Sequence, residues 1–195
     1  RVLDGESMRD SIYKMISDVV ENTVDTFIGD DQDPQEWDLS GLNETLLPII
    51  PFEMITVERI GCKNKAELKH ALKQEGTKLY EAKEAEFPNP EMIRELERVF
   101  LLKVIDRKWM NHIDDMEQLR QGIGLQAYGQ RDPVVQYKVM GYDMFDAMTT
   151  AITEDTVRLL MHIQVEQKVE REQVAKVTGT NKDEGASVKG PVKRV

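Results

Sequence analysis

Residues 89–133 read NPEMIRELERVFLLKVIDRKWMNHIDDMEQLRQGIGLQAYGQRDP, and this stretch decides the fold. Asn89 is a good N-cap, and Pro90 suits the first helical position, where a backbone N–H is not needed. From there Met92, Leu96, Val99, Leu102, Ile105, Trp109, Ile113, Met116, Leu119 and Ile123 recur at steps of three and four. The spacing predicts one helix with a continuous apolar stripe, about 50 Å long at 1.5 Å per residue. The stripe runs out at Gly122, and Gly122, Gly124 and Gly129 depress helix propensity. Asp132 and Pro133 then repeat the cap-and-proline pattern. A second helix is expected from Pro133 to about Val174, with Tyr137, Gly141, Phe145, Met148, Ile152, Leu159 and Ile163 near one face. Two long striped helices joined by a short loop make an antiparallel αα-hairpin.

Upstream, Ile12, Met15, Ile16, Val19, Val20 and Val24 predict an amphipathic helix over 7–27, with Asp18, Glu21 and Asn22 on its polar side. Gly29, the acidic residues Asp30, Asp31 and Asp33, and Pro34 end it. Residues 34–87 read as a compact set of short helices. Ser40 is the expected cap of a helix through Leu47, and Pro48 and Pro51 bracket the next turn. Ile55, Val57 and Ile60 alternate, predicting a short extended piece. Asn64 and Glu67 have the spacing of a capping box, opening a helix from Lys65 to about Glu86. Beyond Val174 the periodicity fails, and the polar, glycine-containing segment reads as a disordered linker. The fold class is all-α: a long antiparallel hairpin with a small helical subdomain.

Composition supports helix over sheet. The 195 residues are 40% hydrophobic but only 6% aromatic, and the chain is rich in Met, Glu, Lys and Leu. A net charge of -10 argues against nucleic-acid binding as a main function, because phosphate contacts need a basic face. A single cysteine, Cys62, excludes an internal disulfide framework and suits a reducing compartment. Apolar runs such as Val99 to Leu102 are far shorter than the roughly 20 residues a membrane span requires. The chain opens on Arg1 rather than Met, so it is expected to be a piece of something longer.

Residues that carry chemistry are sparse. Neither a G-x-x-x-x-G-K-[ST] phosphate loop nor a dinucleotide fingerprint occurs, and the glycines of 122–129 match neither spacing. His112 and Asp115 share a helix face, but two ligands fall short of the three or four that metal sites use. A hydrogen-bonded surface is the better reading; a metal-dependent helical enzyme is the reading that stoichiometric metal would support. Cys62 lacks the basic neighbours of an activated thiolate. Trp109 reads as a core residue, the scattered methionines as core filling, and Met144 and Met148 as candidates to line a groove. In the loop, Leu125 and Tyr128 have no periodicity to bury them, and Gln126, Gln130 and Arg131 surround them with polarity. Residue chemistry leaves two alternatives open: an ordinary turn with Tyr128 folded back, or a presented tip.

The pattern Trp109, His112, Ile113, Asp114, Met116, Leu119, Arg120, Gln121, Gly122, Ile123, followed by Tyr128, Gln130, Asp132 and Pro133, closely resembles the helical scaffold of the SecA family. Val2-Leu3-Asp4-Gly5, Glu36-Trp37 and Met144-Phe145-Asp146-Ala147-Met148 extend the resemblance over most of the chain to about Val174. It implies that residues 1–28 are the distal part of a long scaffold helix, 29–88 a helical wing domain, 89–174 the scaffold with a two-helix finger tipped by 122–133, and 175–195 a linker. The implied function is that of a segment, without catalytic activity of its own, of a motor that drives preproteins through the SecY channel. The finger-tip residues Leu125, Gln126, Ala127, Tyr128, Gln130 and Arg131 are then the expected contacts with substrate and channel. The same region is expected to restrain the motor ATPase. ATP and magnesium belong, on this resemblance, to motor domains that these residues do not include; no cofactor or metal is expected in the segment itself. Expected partners are the SecY, SecE and SecG channel, unfolded preprotein, the motor domains of the same chain and a second copy in a homodimer. The expected setting is bacterial, in the cytoplasm and peripheral on the cytoplasmic face of the plasma membrane. Two positions depart from the family pattern: Gly124 stands where His is frequent and Gln126 where Arg is common, so the tip is less basic. The family's cysteine-rich C-terminal zinc motif is not among these residues, as expected if the longer protein continues past Val195. The competing expectation is a stand-alone helical adaptor or oligomerisation module that binds a partner along the stripe.

Overall fold

A computed structural model describes residues 8–124 and 132–164. Among them every regular element is helical: α1 (Met8–Phe27), a 3₁₀ turn (Pro34–Glu36), α2 (Leu39–Leu46), α3 (Val57–Ile60), α4 (Lys65–Ala85), α5 (Pro90–Gly122) and α6 (Pro133–His162). The all-α class is as the sequence predicts, and no described helix is long and apolar enough to cross a membrane.

Helix α1 is the spine of the fold. Ile12, Ile16, Val19, Val20 and Val24 are its buried line, the set expected from spacing, with Met15 partly buried beside them. Leu42 and Leu46 of α2, Leu68, Leu72 and Tyr80 of α4, Ile93 of α5, and Val157, Leu160 and Met161 of α6 close around that line in one apolar cluster. Charges stitch the rims of α1 and α4. Lys73 pairs with Glu21, and Lys65 and Lys69 each lie 2.7 Å from Asp25. Hydrogen bonds from those two lysines hold the Asp25 carboxyl below its ordinary range.

Local signals set the helix starts. Asn64 Oδ1 accepts from Glu67 N at 2.9 Å, while the Glu67 carboxylate accepts from Lys63 N at 2.8 Å. The reciprocal arm of the box therefore lands one residue before the cap. Asn89 accepts from Glu91 N and Asp132 from Val134 N, both at 2.9 Å, with Pro90 and Pro133 in the first turn.

Three expectations need correction here. The cap of α2 is Asp38, whose Oδ1 accepts from Gly41 N at 2.9 Å. Ser40 lies inside the first turn, because a carboxylate two residues earlier answers the helix dipole better than a hydroxyl. Ile55, Val57 and Ile60 do not form an extended piece across their length. Thr56 caps α3 by accepting from Arg59 N at 3.2 Å, and Gly61 ends it in the left-handed region at φ 62°, so two cap signals outweigh a three-residue alternation. Helix α6 stops at His162, where Ile163 turns to extended backbone, rather than running to Val174. His162 Nδ1 lies 2.9 Å from Arg158 O, occupying a last-turn carbonyl. The expected linker at 175–195 lies outside the described residues.

The largest correction concerns α5. Its buried residues are Ile93, Glu97, Leu101 and Val104, one position away from the expected stripe. Met92, Val99, Leu102, Trp109 and Ile113 are exposed instead. Apolar residues occupy several sides of this helix, so spacing alone cannot choose the face that meets α1. Trp109, expected in the core, is 47% exposed.

Candidate functional site

The candidate site is the α5–α6 hairpin. The tip residues Leu125, Gln126, Ala127, Tyr128, Gln130 and Arg131 lie outside the described residues, so the structure describes the arms that carry them. At the mouth of the tip, Gly122 and Gly124 stand in open space: a Cβ at either meets no heavy atom within 4 Å. Packing of the described residues therefore does not require glycine at Gly124.

The arms are held together by three kinds of contact. Gly141 of α6 faces Met116 of α5, and a Cβ there would lie 3.1 Å from Met116 Cε, so the residue allows a close approach of the two helices. His112 packs between Trp109 and Phe145, with ring centroids 5.8 Å and 5.9 Å away; the second pair is edge-on across the hairpin. Nearer the base, Asp155 of α6 gathers Lys108 at 2.8 Å, Arg107 at 3.1 Å and Arg158 at 2.7 Å. Burial alone pushes the Asp155 carboxyl upward, but the hydrogen bond and charge of Lys108, with the charges of Arg158 and Arg107, hold it below the ordinary carboxylate range.

His112 and Asp115 do come to one place, in a groove of about 270 Å³ with Lys108, Asn111, Met144, Ala147 and Met148. Met144 and Met148 thus line a groove, and Met148 is also buried. Among the described residues no set of three or more metal-binding side chains converges. Cys62 is half-buried, and burial followed by the nearby Glu67 charge pushes its thiol up, the direction of a less reactive sulfur.

Beyond Val104, no described residue of α5 is buried. Met110 and Ile113 of that helix, and Val134, Val135, Val139 and Tyr142 of α6, are also exposed. Apolar side chains on two facing arms, with so little core beneath them, are unusual for a free-standing surface.

Sequence reasoning missed one polar site at the base of the hairpin. Glu97 of α5 is fully buried. It accepts a hydrogen bond from the Tyr80 hydroxyl of α4 and pairs with Arg94 at 2.5 Å. Burial, then the bond to Glu97, pushes the Tyr80 hydroxyl far above its ordinary range. The signal was present: Glu97 stands in line with Ile93, Leu101 and Val104 at helical steps, with Arg94 three residues before it.

The architecture is thus that of a helical scaffold: one core shared by α1, α2, α4 and the bases of α5 and α6, from which the hairpin extends with exposed apolar side chains on both arms. Residues 1–164 match the family described as the SecA Wing and Scaffold domain, and the chain belongs to that family. It is 63% identical to a protein translocase subunit SecA of Lachnoclostridium phytofermentans, over all of this chain and 23% of that protein. It is 45% identical to a protein translocase subunit SecA 1 of Alkaliphilus metalliredigens, over 98% of this chain and 22% of the relative. A protein translocase subunit SecA of Clostridium novyi is 43% identical over all of this chain and 23% of its own length. The chain thus spans less than a quarter of these relatives.

Proposed function

We propose that this chain is the wing and scaffold segment of a preprotein-translocating ATPase, and that it couples motion of the motor to the channel and the substrate. The observation that carries the reading is the family match over residues 1–164, reinforced by the 63% identity that spans the whole chain. On this reading residues 29–88 are the wing, residues 1–28 and 89–174 the scaffold, and 122–133 the tip of the finger. The tip residues Leu125, Gln126, Ala127, Tyr128, Gln130 and Arg131 touch the unfolded preprotein and the SecY, SecE and SecG channel, and the segment restrains ATP hydrolysis by the motor. ATP and magnesium are held elsewhere in the longer protein, whose place is the cytoplasmic face of a bacterial plasma membrane.

A flat aromatic ring suits the tip because it contacts many side chains without selecting a sequence. With Gly124 and Gln126 in place of basic residues, contact by Tyr128 rather than positive charge does the work. In the full-length protein Tyr128→Ala is expected to lower preprotein translocation while basal ATP hydrolysis and thermal stability stay near wild type. An equal loss of stability would show that Tyr128 is a packing residue and sink this role.

The exposed faces of α5 and α6 also suit an adaptor or a homodimer surface. Sedimentation discriminates: a specific oligomer of the isolated segment, abolished by polar replacements along those faces, favours the adaptor.

A further inference from the structure

We infer that a buried polar network at the base of the hairpin fixes the angle at which α5 and α6 leave the α1–α4 platform, acting as a latch on the hairpin's direction rather than as a source of stability. The inference rests on the described geometry and stands apart from the proposed function.

The network runs across three helices. Arg9 of α1 donates to Glu84 of α4 at 2.9 Å, and its guanidinium lies 5.2 Å from the centre of the Tyr13 ring. Glu84 also pairs with Arg94 of α5. Arg94 reaches Glu97, and Glu97 accepts from Tyr80 back on α4. Tyr13 and Tyr80 meet edge to face, 6.0 Å apart. The centre of the network is concealed, with Tyr80 and Glu97 fully buried and the Glu84 side chain 12% exposed, while Arg94 is 28% and Arg9 45% exposed at its edge.

Two properties of this network point to a latch. First, Arg94 serves a carboxylate on α4 and one on its own helix, so tilting α5 away from α4 strips it of Glu84 while it stays beside Glu97. Second, the satisfaction is incomplete. Glu97 Oε2 is buried without a hydrogen-bond partner. Buried charge of this sort adds little stability over apolar packing of the same volume, yet breaking it part-way is costly. Intermediate tilts are therefore penalised, and the hairpin has one preferred direction. Only the short connection of residues 86–89 separates α4 from α5. A tilt of about 10° moves Gln118, roughly 30 Å along α5 from Glu97 at 1.5 Å per residue, by about 5 Å.

The test uses the full-length subunit on a background without other cysteines. Spin labels replace exposed Ala66 on α4 and Gln118 on α5, and pulsed EPR reads the distance between them. The native network is expected to give one narrow distance. The combined variant Tyr80→Phe, Arg94→Met, Glu97→Leu removes the members that single changes would orphan and leaves Glu84 with Arg9. It is expected to broaden the distance by about 5 Å, the displacement of a 10° tilt, while amide exchange in α1 and α4 stays as slow as in wild type. Ile93→Ala, a cavity beside Arg94, is expected to do the opposite: faster exchange, one distance. A single narrow distance in the combined variant overturns the inference, as does exchange that quickens in step with the broadening. Tyr80→Phe alone gives the same two readings if far-UV circular dichroism shows the combined variant unfolded.

Discussion

Asn64 shows how much of a helix start one side chain sets. Its Oδ1 accepts from Glu67 N at the point where the chain leaves extended backbone for α4, and nothing else near it supplies that bond. Asn64→Ala is expected to lower stability by about 1 kcal/mol, measured by urea unfolding; Asn64→Asp should keep most of it. This bond was legible in sequence because both partners lie within four residues, and the same holds for Asn89 and Asp132. Glu97 was legible only as a position in line with Ile93, Leu101 and Val104, not as a buried charge. Carboxylates are surface residues by default, and its burial depends on Tyr80, seventeen positions earlier and on another helix. Glu97→Ala should be costly, about 3–5 kcal/mol, because it strands Arg94 and the Tyr80 hydroxyl in the interior.

At the scale of the elements, the hairpin answers to Asp155. Its folded carboxyl sits below the ordinary range, so its contribution is present above the unfolded carboxylate pKa and lost as pH falls through the folded value. From about pH 4 downward its protonation leaves Lys108, Arg107 and Arg158 facing one another without their shared anion. The melting midpoint of wild type should therefore fall more steeply in acid than that of Asp155→Asn. At neutral pH the variant should be weaker by roughly 1 kcal/mol, as for partly exposed pairs. The existence of α5, α6 and their antiparallel joining followed from caps, prolines and glycines. The choice of buried face did not, since Ile93, Leu101 and Val104 on one line and Met92, Val99 and Leu102 on another are equally apolar. What selects the first line is its fit against α1, a long-range fact. The tip residues stay as the family resemblance has them, outside the described residues.

For the whole molecule, one cluster joins α1, α2, α4, α5 and α6, so damage anywhere in it is felt throughout. Leu72 is fully buried at its middle, and Leu72→Ala should cost about 2–5 kcal/mol in a single cooperative transition. Damage to the outer hairpin has a different signature. Ile113, Val139 and Tyr142 are about half exposed or more, so polar replacements there should leave the melting midpoint unchanged. They should reduce binding of an apolar dye to the isolated segment, read by fluorescence.

Asn43 carries a liability of a different kind. Its amide nitrogen donates to Leu39 O at 2.7 Å and Ile55 O at 2.9 Å, and its Oδ1 accepts from Ile55 N at 2.8 Å. One side chain thus does for Ile55 what a neighbouring strand would do. Slow hydrolysis of that amide, the ordinary ageing reaction of asparagine, would put a carboxylate against two carbonyl oxygens that had a shared donor. The loop that carries Ile55 would then lose its seat without any change of gene.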